Sequence, residues 1–277
     1  MNPRAFVAAL AAATMLAGSP ASWAGQLEFI ERVVGGRVES RAGTPAAPDS
    51  TAALLAQQPI VIAVHGLGDR PESFIRLFDE LEVPTRVIVP RAPVVWGAGF
   101  SWFPLPGTDQ ASHEAFVAGL RESAKSLAEL AAMLARERPS RPPPVIVGFS
   151  QGGMLSFAVA ALYPQAISVS MPVAGLLPDA VAPRTSPDPD AHEPSSGAVK
   201  LPHVIAFHGD ADGRVPVARA ALAVERMRAA GYDARIRRYP GVGHSIPAAM
   251  RDDLLAAIAA AIREKPLAPG RIRAGGE

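Results

Sequence analysis

The segment from Pro144 to Leu162 places the strongest constraint on the fold of this chain. The apolar run Pro144-Val145-Ile146-Val147 leads directly into Gly148-Phe149-Ser150-Gln151-Gly152, and residues Met154 to Leu162 are typical of a helix. The two glycines allow a tight backbone turn between strand and helix. Such a turn lifts its central side chain clear of the sheet, beside a helix N-terminus and free backbone N–H groups. The segment therefore predicts a strand, a sharp turn and a helix, with an exposed Ser150 hydroxyl.

Apolar runs alternate with amphipathic segments along most of the chain. Pro59 to Val64 is continuously apolar, as in a strand buried on both faces of a parallel sheet. Further strands are predicted at residues 86–89, 167–173, 203–207 and 234–239. Helices are predicted at residues 114–136 and 217–230 and in the segment that carries Leu254, Ile258 and Ile262. This alternation predicts an α/β fold with a doubly wound, mostly parallel sheet and helices on both faces.

Asp69 predicts the start of a further helix. Glu72 follows three residues later, as in a capping box, and Pro71 lies where a proline in the first turn is tolerated. The apolar face of this helix is predicted to consist of Ile75, Phe78 and Leu81.

Length and composition predict one folded domain with additional segments at both ends. The chain has 277 residues, of which 49% are hydrophobic, enough for a sizeable core. We expect an edge hairpin and loop over residues 25–56, around Gly35-Gly36, then the α/β domain over residues 57–264. Residues 183–198 read as an exposed polar insertion, and residues 265–277 as a flexible tail.

Charge and residue types exclude several function classes. The net charge of +1 predicts no attraction to nucleic acid or to a membrane surface. The absence of cysteine excludes disulfides, a thiolate nucleophile and cysteine-ligated zinc. No H-E-x-x-H or comparable ligand spacing is present, so we expect no metal and no cofactor. We expect a monomer or a weak homodimer.

Residues 1–24 have the layout of a secretory signal peptide. Arg4 precedes an apolar run from Ala5 to Ala17, and Ser22-Trp23-Ala24 places small residues around a cleavage site. The run would rise only ~20 Å as a helix, short of the ~30 Å hydrocarbon core of a bilayer. We therefore expect export to the periplasm or medium, cleavage after Ala24 and no stable membrane insertion. Finding an intact Met1 by mass spectrometry of protein from the native host would contradict this.

Ser150 requires a general base if its hydroxyl is to act as a nucleophile. On a strand–turn–helix of this kind the order along the chain is serine, then aspartate or glutamate, then histidine. His244, in Gly241-Val242-Gly243-His244-Ser245, lies between the last strand and the last helix, and we expect it to be the base. His113, His192 and His203 show no comparable signal.

Two aspartates compete as the acid that orients this histidine. Both lie between His208 and Pro216, directly after the strand predicted at residues 203–207. The next predicted strand, residues 234–239, leads to His244. Asp212 is the better placed, and Asp210 is expected to hydrogen-bond its own turn. His208 reads as a packed structural histidine.

Backbone N–H groups have to receive the oxyanion of a tetrahedral intermediate. One is expected from Gln151, directly after the nucleophile and at a helix N-terminus. The other is expected from Leu67, because the glycines on either side of it would let its N–H turn inward. His65 is expected to brace this loop rather than to act chemically.

Four motifs occur in the order HGLGD, GFSQGG, HGDADGRVP and GVGH. In this order they resemble the α/β-hydrolase branch of bacterial carboxylesterases, lysophospholipases and acyl-protein thioesterases, over about residues 57–264. The resemblance implies a catalytic triad of Ser150, Asp212 and His244, and oxyanion-hole donors at Leu67 and Gln151. The segment from Phe100 to Phe103 resembles the aromatic segment beside the acyl site of that family, although Pro104 stands where the family often has an acidic residue.

The sequence thus predicts a serine hydrolase that cleaves small-molecule carboxylic esters with small to medium acyl chains. The expected substrate pocket draws on Trp102, Phe103 and Met154, with Leu67 nearby. The alternatives are an acyl thioesterase, a lysophospholipase, or a non-catalytic binding protein on the same fold.

Overall fold

The computed structural model of the protein describes residues 27–35, 58–137, 142–183 and 200–263. The strands in these ranges are β1 (Phe29–Val34), β2 (Ile60–Val64), β3 (Thr85–Pro90), β4 (Val94–Trp96), β5 (Gly99–Ser101), β6 (Val145–Phe149), β7 (Val169–Val173), β8 (His203–Gly209) and β9 (Ala234–Tyr239). The α-helices are α1 (Pro71–Phe74), α2 (Gln110–Glu137), α3 (Gln151–Leu162), α4 (Val217–Ala229) and α5 (Ala248–Arg263). Short 3₁₀ turns occupy Ile75–Phe78, Pro164–Ala166 and Asp179–Val181.

Seven strands form one sheet in the order β1-β3-β2-β6-β7-β8-β9. Only β1 runs antiparallel to its neighbour, β3, and all the other pairs in this sheet are parallel. At the centre of the sheet, Val147 of β6 is paired with Ala63 of β2 on one side and with Met171 of β7 on the other. The predicted mostly parallel sheet is confirmed.

Helices cover both faces of the sheet, as predicted. Alternate strand residues point to opposite sides, so that Ile62 and Ile146 belong to one core and Val61 and Val147 to the other. Helices α2, α3 and α4 close the first core, whereas α1, the 3₁₀ turn after it and α5 close the second. A fully buried side chain such as Phe157 contributes roughly 1.5–3 kcal/mol.

The predicted N-terminal hairpin is represented by one edge strand. Strand β1 pairs antiparallel with β3, with Phe29 opposite Pro90 and Val34 opposite Thr85. The rest of that hairpin, the signal segment 1–24, the insertion beyond Pro183 and the tail lie outside the described residues. Across the described ranges, no helix combines the length and apolarity needed to cross a membrane.

The start of the first helix differs from the prediction. Arg70 is the N-cap residue, and no side chain caps the helix. Asp69 instead accepts the Arg70 backbone N–H at 2.7 Å. An N-cap side chain commonly accepts the N–H of the second residue after it. For Asp69 that residue is Pro71, which has no N–H, so capping by Asp69 would stabilise the helix little. The helix is a single turn that continues as 3₁₀.

The β4–β5 hairpin has no counterpart among the predicted elements. Each of its strands has three residues, too few for an alternating pattern to stand out. Beyond pairing with β4, β5 contacts the loop after β2: Gly68 N–H donates to Phe100 O at 2.8 Å, and Phe100 N–H donates to Asp69 O at 3.1 Å. The hairpin therefore supports that loop from outside the main sheet.

Glycines at the contact between α3 and the sheet allow a close approach of the two. A Cβ added at Gly152 would lie 1.9 Å from the backbone oxygen of Val64, and one added at Gly148 would lie 2.0 Å from the oxygen of Gly152. Neither contact can be relieved by moving a flexible side chain. Glycine is therefore required at both positions for the helix to dock as it does.

Gly152→Ala tests this requirement. Alanine is about 1 kcal/mol better than glycine in a helix interior, but overpacking a tight core typically costs about 1–3 kcal/mol. Because the overlap is with backbone, we expect a net loss of at least about 1 kcal/mol in the free energy of unfolding, measured by urea denaturation.

Gly213→Ala is the matched control, since an added Cβ there meets nothing within 4 Å. Its stability should stay within about 0.5 kcal/mol of the parent. Equal stabilities for the two variants would show that α3 can move away from the sheet at little cost.

Candidate active site

Ser150 occupies a strained turn between β6 and α3. Its backbone has φ 56° and ψ −112°, in a region that residues with a side chain seldom adopt. Two backbone hydrogen bonds hold the turn: Ser150 N–H donates to Val173 O, and Met154 N–H donates to Ser150 O, each at 2.9 Å. The turn places the side chain beyond the carboxyl end of β6.

The His244 ring bridges Ser150 and Asp212. His244 lies in the loop between β9 and α5, with Nε2 2.9 Å from Ser150 Oγ and Nδ1 2.7 Å from Asp212 Oδ2. An ionised carboxylate can only accept, so Nδ1 carries the proton and Nε2 is left to accept the Ser150 hydroxyl. The ring also packs against Phe149, with 5.0 Å between ring centroids.

Both carboxylate oxygens of Asp212 are hydrogen-bonded. Oδ1 accepts the backbone N–H groups of Arg214 and Val215, each at 2.9 Å, while Oδ2 faces His244. Burial of this residue opposes its ionisation. The N–H of Val215, the His244 ring and the N–H of Arg214 together outweigh burial and hold the pKa of the Asp212 carboxyl below its usual value.

Asp210 hydrogen-bonds the loop after β9 and not, as predicted, the turn in which it lies. Its Oδ1 accepts the backbone N–H of Gly241 at 2.7 Å, so it binds the segment that leads to His244 rather than its own turn. Close by, Ala211 N–H donates to Val242 O at 3.1 Å. These bonds join the loop after β8 to the loop after β9, and the structure brings Asp212, not Asp210, to the imidazole.

Of the two predicted oxyanion donors, Gln151 directly follows Ser150, and Leu67 lies in a loop that passes close to the serine. Gln151 is the first residue of α3, and the first N–H groups of a helix have no acceptor within the helix. The loop that carries Leu67 passes near the serine at Gly66, where an added Cβ would lie 3.4 Å from Ser150 Cβ. The N–H of Gly68 is already committed to Phe100 O.

His65 braces this loop, as expected. It is fully buried; Nδ1 donates to Gly66 O at 2.8 Å, and Nε2 accepts the Ala92 N–H at 3.3 Å. Trp102 Nε1–H donates to the backbone oxygen of His65 at 3.0 Å. Burial, which outweighs the hydrogen bond to Gly66, lowers the pKa of His65 and keeps the ring neutral.

The predicted pocket residues are placed differently from one another. Trp102 and Phe103 are each only 2% exposed and belong to the core, where Phe103 packs edge-on against Phe116 with ring centroids 5.5 Å apart. Little of either ring is therefore exposed, and the assignment of Trp102 and Phe103 to the substrate pocket stays a prediction. Met154, one turn after Ser150, is half-buried.

The other described histidines lie away from the serine hydroxyl. His208 is buried and donates from Nε2 to Val215 O at 2.7 Å, in keeping with a packed structural role. Burial is the main cause of its lowered pKa. His203 pairs with Asp233 at the surface, and His113 is exposed in α2.

Comparison with known proteins identifies first the fold class and then the family. The solved structure of esterase PE8 superimposes with a TM-score of 0.59 and 27% identity, covering 73% of this chain and 92% of that one. Together with the sheet described above, this defines an α/β-hydrolase fold. A family model described as phospholipase/carboxylesterase matches residues 51–262, and the chain belongs to that family.

Two curated relatives are similar over shorter stretches. A probable carboxylesterase of Oryza sativa subsp. japonica is 32% identical over 127 residues, which cover 44% of each chain. Acyl-protein thioesterase 1 of Gibberella zeae is 33% identical over 101 residues, covering 36% of this chain and 40% of the relative. The chain thus matches less than half the length of either relative.

The buried histidines predict how stability depends on pH. In the unfolded chain a histidine binds its proton near pH 6.5, but His65 and His208 have lowered pKa values when folded. Below pH 6.5 the unfolded state therefore binds more protons than the folded state. As the pH is lowered, the free energy of unfolding decreases by up to about 1.4 kcal/mol per pH unit for each histidine. Denaturation at pH 7.5 and 5.5, above the range in which Asp212 titrates, should show this loss.

His208→Gln should reduce the slope, because glutamine keeps an N–H donor for Val215 O but does not titrate. His113→Gln, at an exposed position in α2, is the matched control for removing a surface histidine. An unchanged slope in His208→Gln would contradict the assignment.

Proposed function

We propose that the protein is a serine hydrolase that cleaves carboxylic esters with small to medium acyl chains through an acyl-serine intermediate. The observation that carries the proposal is the continuous hydrogen-bonded series from Asp212 through His244 to Ser150, with contacts of 2.7 and 2.9 Å. Membership of the phospholipase/carboxylesterase family supports the same reaction class.

Each group in this series has a defined task in the proposed reaction. His244 Nε2 takes the proton of Ser150 as Oγ attacks the ester carbonyl carbon. Asp212 accepts the Nδ1–H bond and stabilises the imidazolium that forms. When the tetrahedral intermediate collapses, the same proton passes from His244 to the departing alcohol, and a water molecule then repeats the sequence on the acyl-serine.

The oxyanion of each intermediate is received by the backbone N–H groups of Leu67 and Gln151. Losing one such donor typically costs 10²–10³ in turnover. The helix dipole of α3 adds partial positive charge at the same place. Phe149, Met154 and Leu67 are partly exposed apolar residues on the two segments that carry Ser150 and the predicted oxyanion donors, and we assign them to contact with the acyl chain.

Ser150→Ala tests the nucleophile. Turnover of a nitrophenyl ester should fall by several orders of magnitude, by analogy with other triads. Ser126→Ala, at a partly exposed position in α2, is the matched control and should keep parental turnover. Near-normal hydrolysis by Ser150→Ala would contradict the assignment of Ser150 as the nucleophile.

Asp212→Asn and Asp210→Asn separate the two candidate acids. Loss of the carboxylate that fixes the histidine tautomer cost about 10⁴ in turnover in another triad enzyme, and we expect a loss of that order for Asp212→Asn. Asp210→Asn keeps an oxygen for the Gly241 N–H, so its turnover should fall less than tenfold. The reverse ranking would make Asp210 the acid.

Thioester cleavage is the second candidate, favoured by the similarity to an acyl-protein thioesterase. The same three residues can cleave either bond. We further propose that residues 1–24 direct export, and this location favours oxygen esters over cytosolic acyl-proteins. The ratio of kcat/KM for matched oxygen esters and thioesters of increasing chain length decides between them, and a higher value for thioesters would reverse the preference.

A protein that binds esters without cleaving them is a different class. A fluorophosphonate probe reacts with activated serines, so it should label Ser150 in the parent protein. Absence of an adduct at Ser150 would favour the binding class.

A further inference from the structure

The Gln151 side chain is buried at the front of α3 and fully used in hydrogen bonds. The residue is 2% exposed. Its Oε1 accepts the backbone N–H of Trp102 at 3.1 Å, and its Nε2 donates to Phe103 O at 2.9 Å. Ser101 Oγ donates to Phe103 O at 2.9 Å and lies 3.3 Å from both carboxamide atoms, where it can accept the second Nε2 proton. Only one orientation of the carboxamide satisfies all of these groups.

The segment from Phe100 to Phe103, which this carboxamide holds, also supports the loop that carries Leu67. At Phe100, backbone bonds connect it to Gly68 and Asp69. At Trp102, the indole N–H binds the backbone oxygen of His65, two residues before Leu67. The segment is itself fixed from the far side, because Ser123 Oγ donates to Trp102 O at 2.8 Å.

Gln151 is therefore linked to both halves of the proposed oxyanion hole. Its own backbone N–H is one donor. Its carboxamide reaches, through Trp102, the loop that presents the other donor at Leu67. We propose that the Gln151 side chain is a positioning residue that sets the separation of the two oxyanion donors. This inference rests on the proposed hydrolase function and assigns a task to a side chain that the proposed reaction steps leave unused.

Three features favour this task over simple core filling. A carboxamide with every hydrogen-bonding group matched fixes direction as well as volume, whereas an apolar side chain would fix volume alone. The bonds go to backbone groups, so they hold the path of the chain. The segment that they hold supports the loop whose Leu67 N–H has to bind the oxyanion. Small displacements of a catalytic group at such a place reduce the rate by large factors.

Gln151→Met is the sharpest test, because methionine has a similar length, keeps the backbone N–H and removes every side-chain hydrogen bond. We expect kcat for a nitrophenyl ester to fall about 10²-fold, the loss typical of one oxyanion donor, with KM changed less than about threefold. Gln110→Met makes the same substitution at an exposed position in α2 and should leave both constants unchanged.

An alkyl boronic acid, which forms a tetrahedral adduct with an active serine, supplies a readout that a general loss of packing would not move. Its affinity should fall in the same proportion as kcat/KM across the variants. An undiminished kcat in Gln151→Met would overturn the inference. So would a reduced kcat with unchanged boronate affinity, since the tetrahedral state would then be held as well as before.

Trp102→Phe provides a second route if Gln151→Met does not fold. It removes the indole bond to His65 and leaves the carboxamide intact. Its kcat and boronate affinity should fall together, and unchanged values of both would contradict the inference. Where Gln151→Met does fold, the loss in the double variant should be smaller than the sum of the single losses in free energy, because both changes act along one path. Fully additive losses would contradict a shared path.

The two proposals fail in different ways. If the parent protein neither hydrolyses esters nor reacts with a fluorophosphonate at Ser150, the hydrolase function fails. If the parent does both and Gln151→Met matches it in kcat and boronate affinity, only the positioning task of Gln151 fails.

Discussion

The left-handed backbone turn at Ser150 is the constraint on which the site and the packing of the central strands depend. Holding a residue with a side chain in this conformation costs about 1–3 kcal/mol, so its surroundings have to stabilise it. Hydrogen bonds to Val173 O and from Met154 N–H do so on either side. Gly148 and Gly152 permit the close approach of helix and sheet on which those bonds depend. The position of the hydroxyl is therefore a property of the packed β6–α3–β7 unit rather than of a surface loop.

The same sheet explains why the histidine needs support from a neighbouring loop. His244 follows β9, three strands away from β6, and adjacent strands are about 4.8 Å apart, so its loop has to reach back over about 14 Å of sheet edge. The loop after β8 lies along this route. Asp210 binds the N–H of Gly241, and Ala211 binds Val242 O, so the returning loop is held before it reaches the serine. Asp212 then fixes the ring itself.

Residues whose roles depend on chain order were predictable from the sequence, whereas side-chain directions were not. Ser150 and His244 follow recognisable strands and glycine-rich turns, and the parallel sheet brings the ends of those strands to one edge. The burial of Trp102 and Phe103 was not predictable in this way, because they follow the β4–β5 hairpin, whose strands are too short to leave a pattern. The role of the Gln151 carboxamide was not predicted, because its partners Ser101, Trp102 and Phe103 are about 50 residues away in the sequence. A long polar side chain among small residues in a buried helix turn was the available signal.

In the described part of the chain, a protonated His244 forms its ion pair with Asp212, while two buried histidines near the site stay uncharged. His65 and His208 lie close to the loops that carry the site, but burial lowers the pKa of both, and they remain uncharged near neutral pH. Asp212 is kept ionised by backbone N–H groups that cannot titrate. In the proposed reaction, a proton moves from Ser150 to the imidazole of His244. The imidazolium that results forms a pair of zero net charge with the Asp212 carboxylate. Because a buried unpaired charge is far more costly than a buried pair, this arrangement stabilises the charged imidazole only when its carboxylate partner is in place.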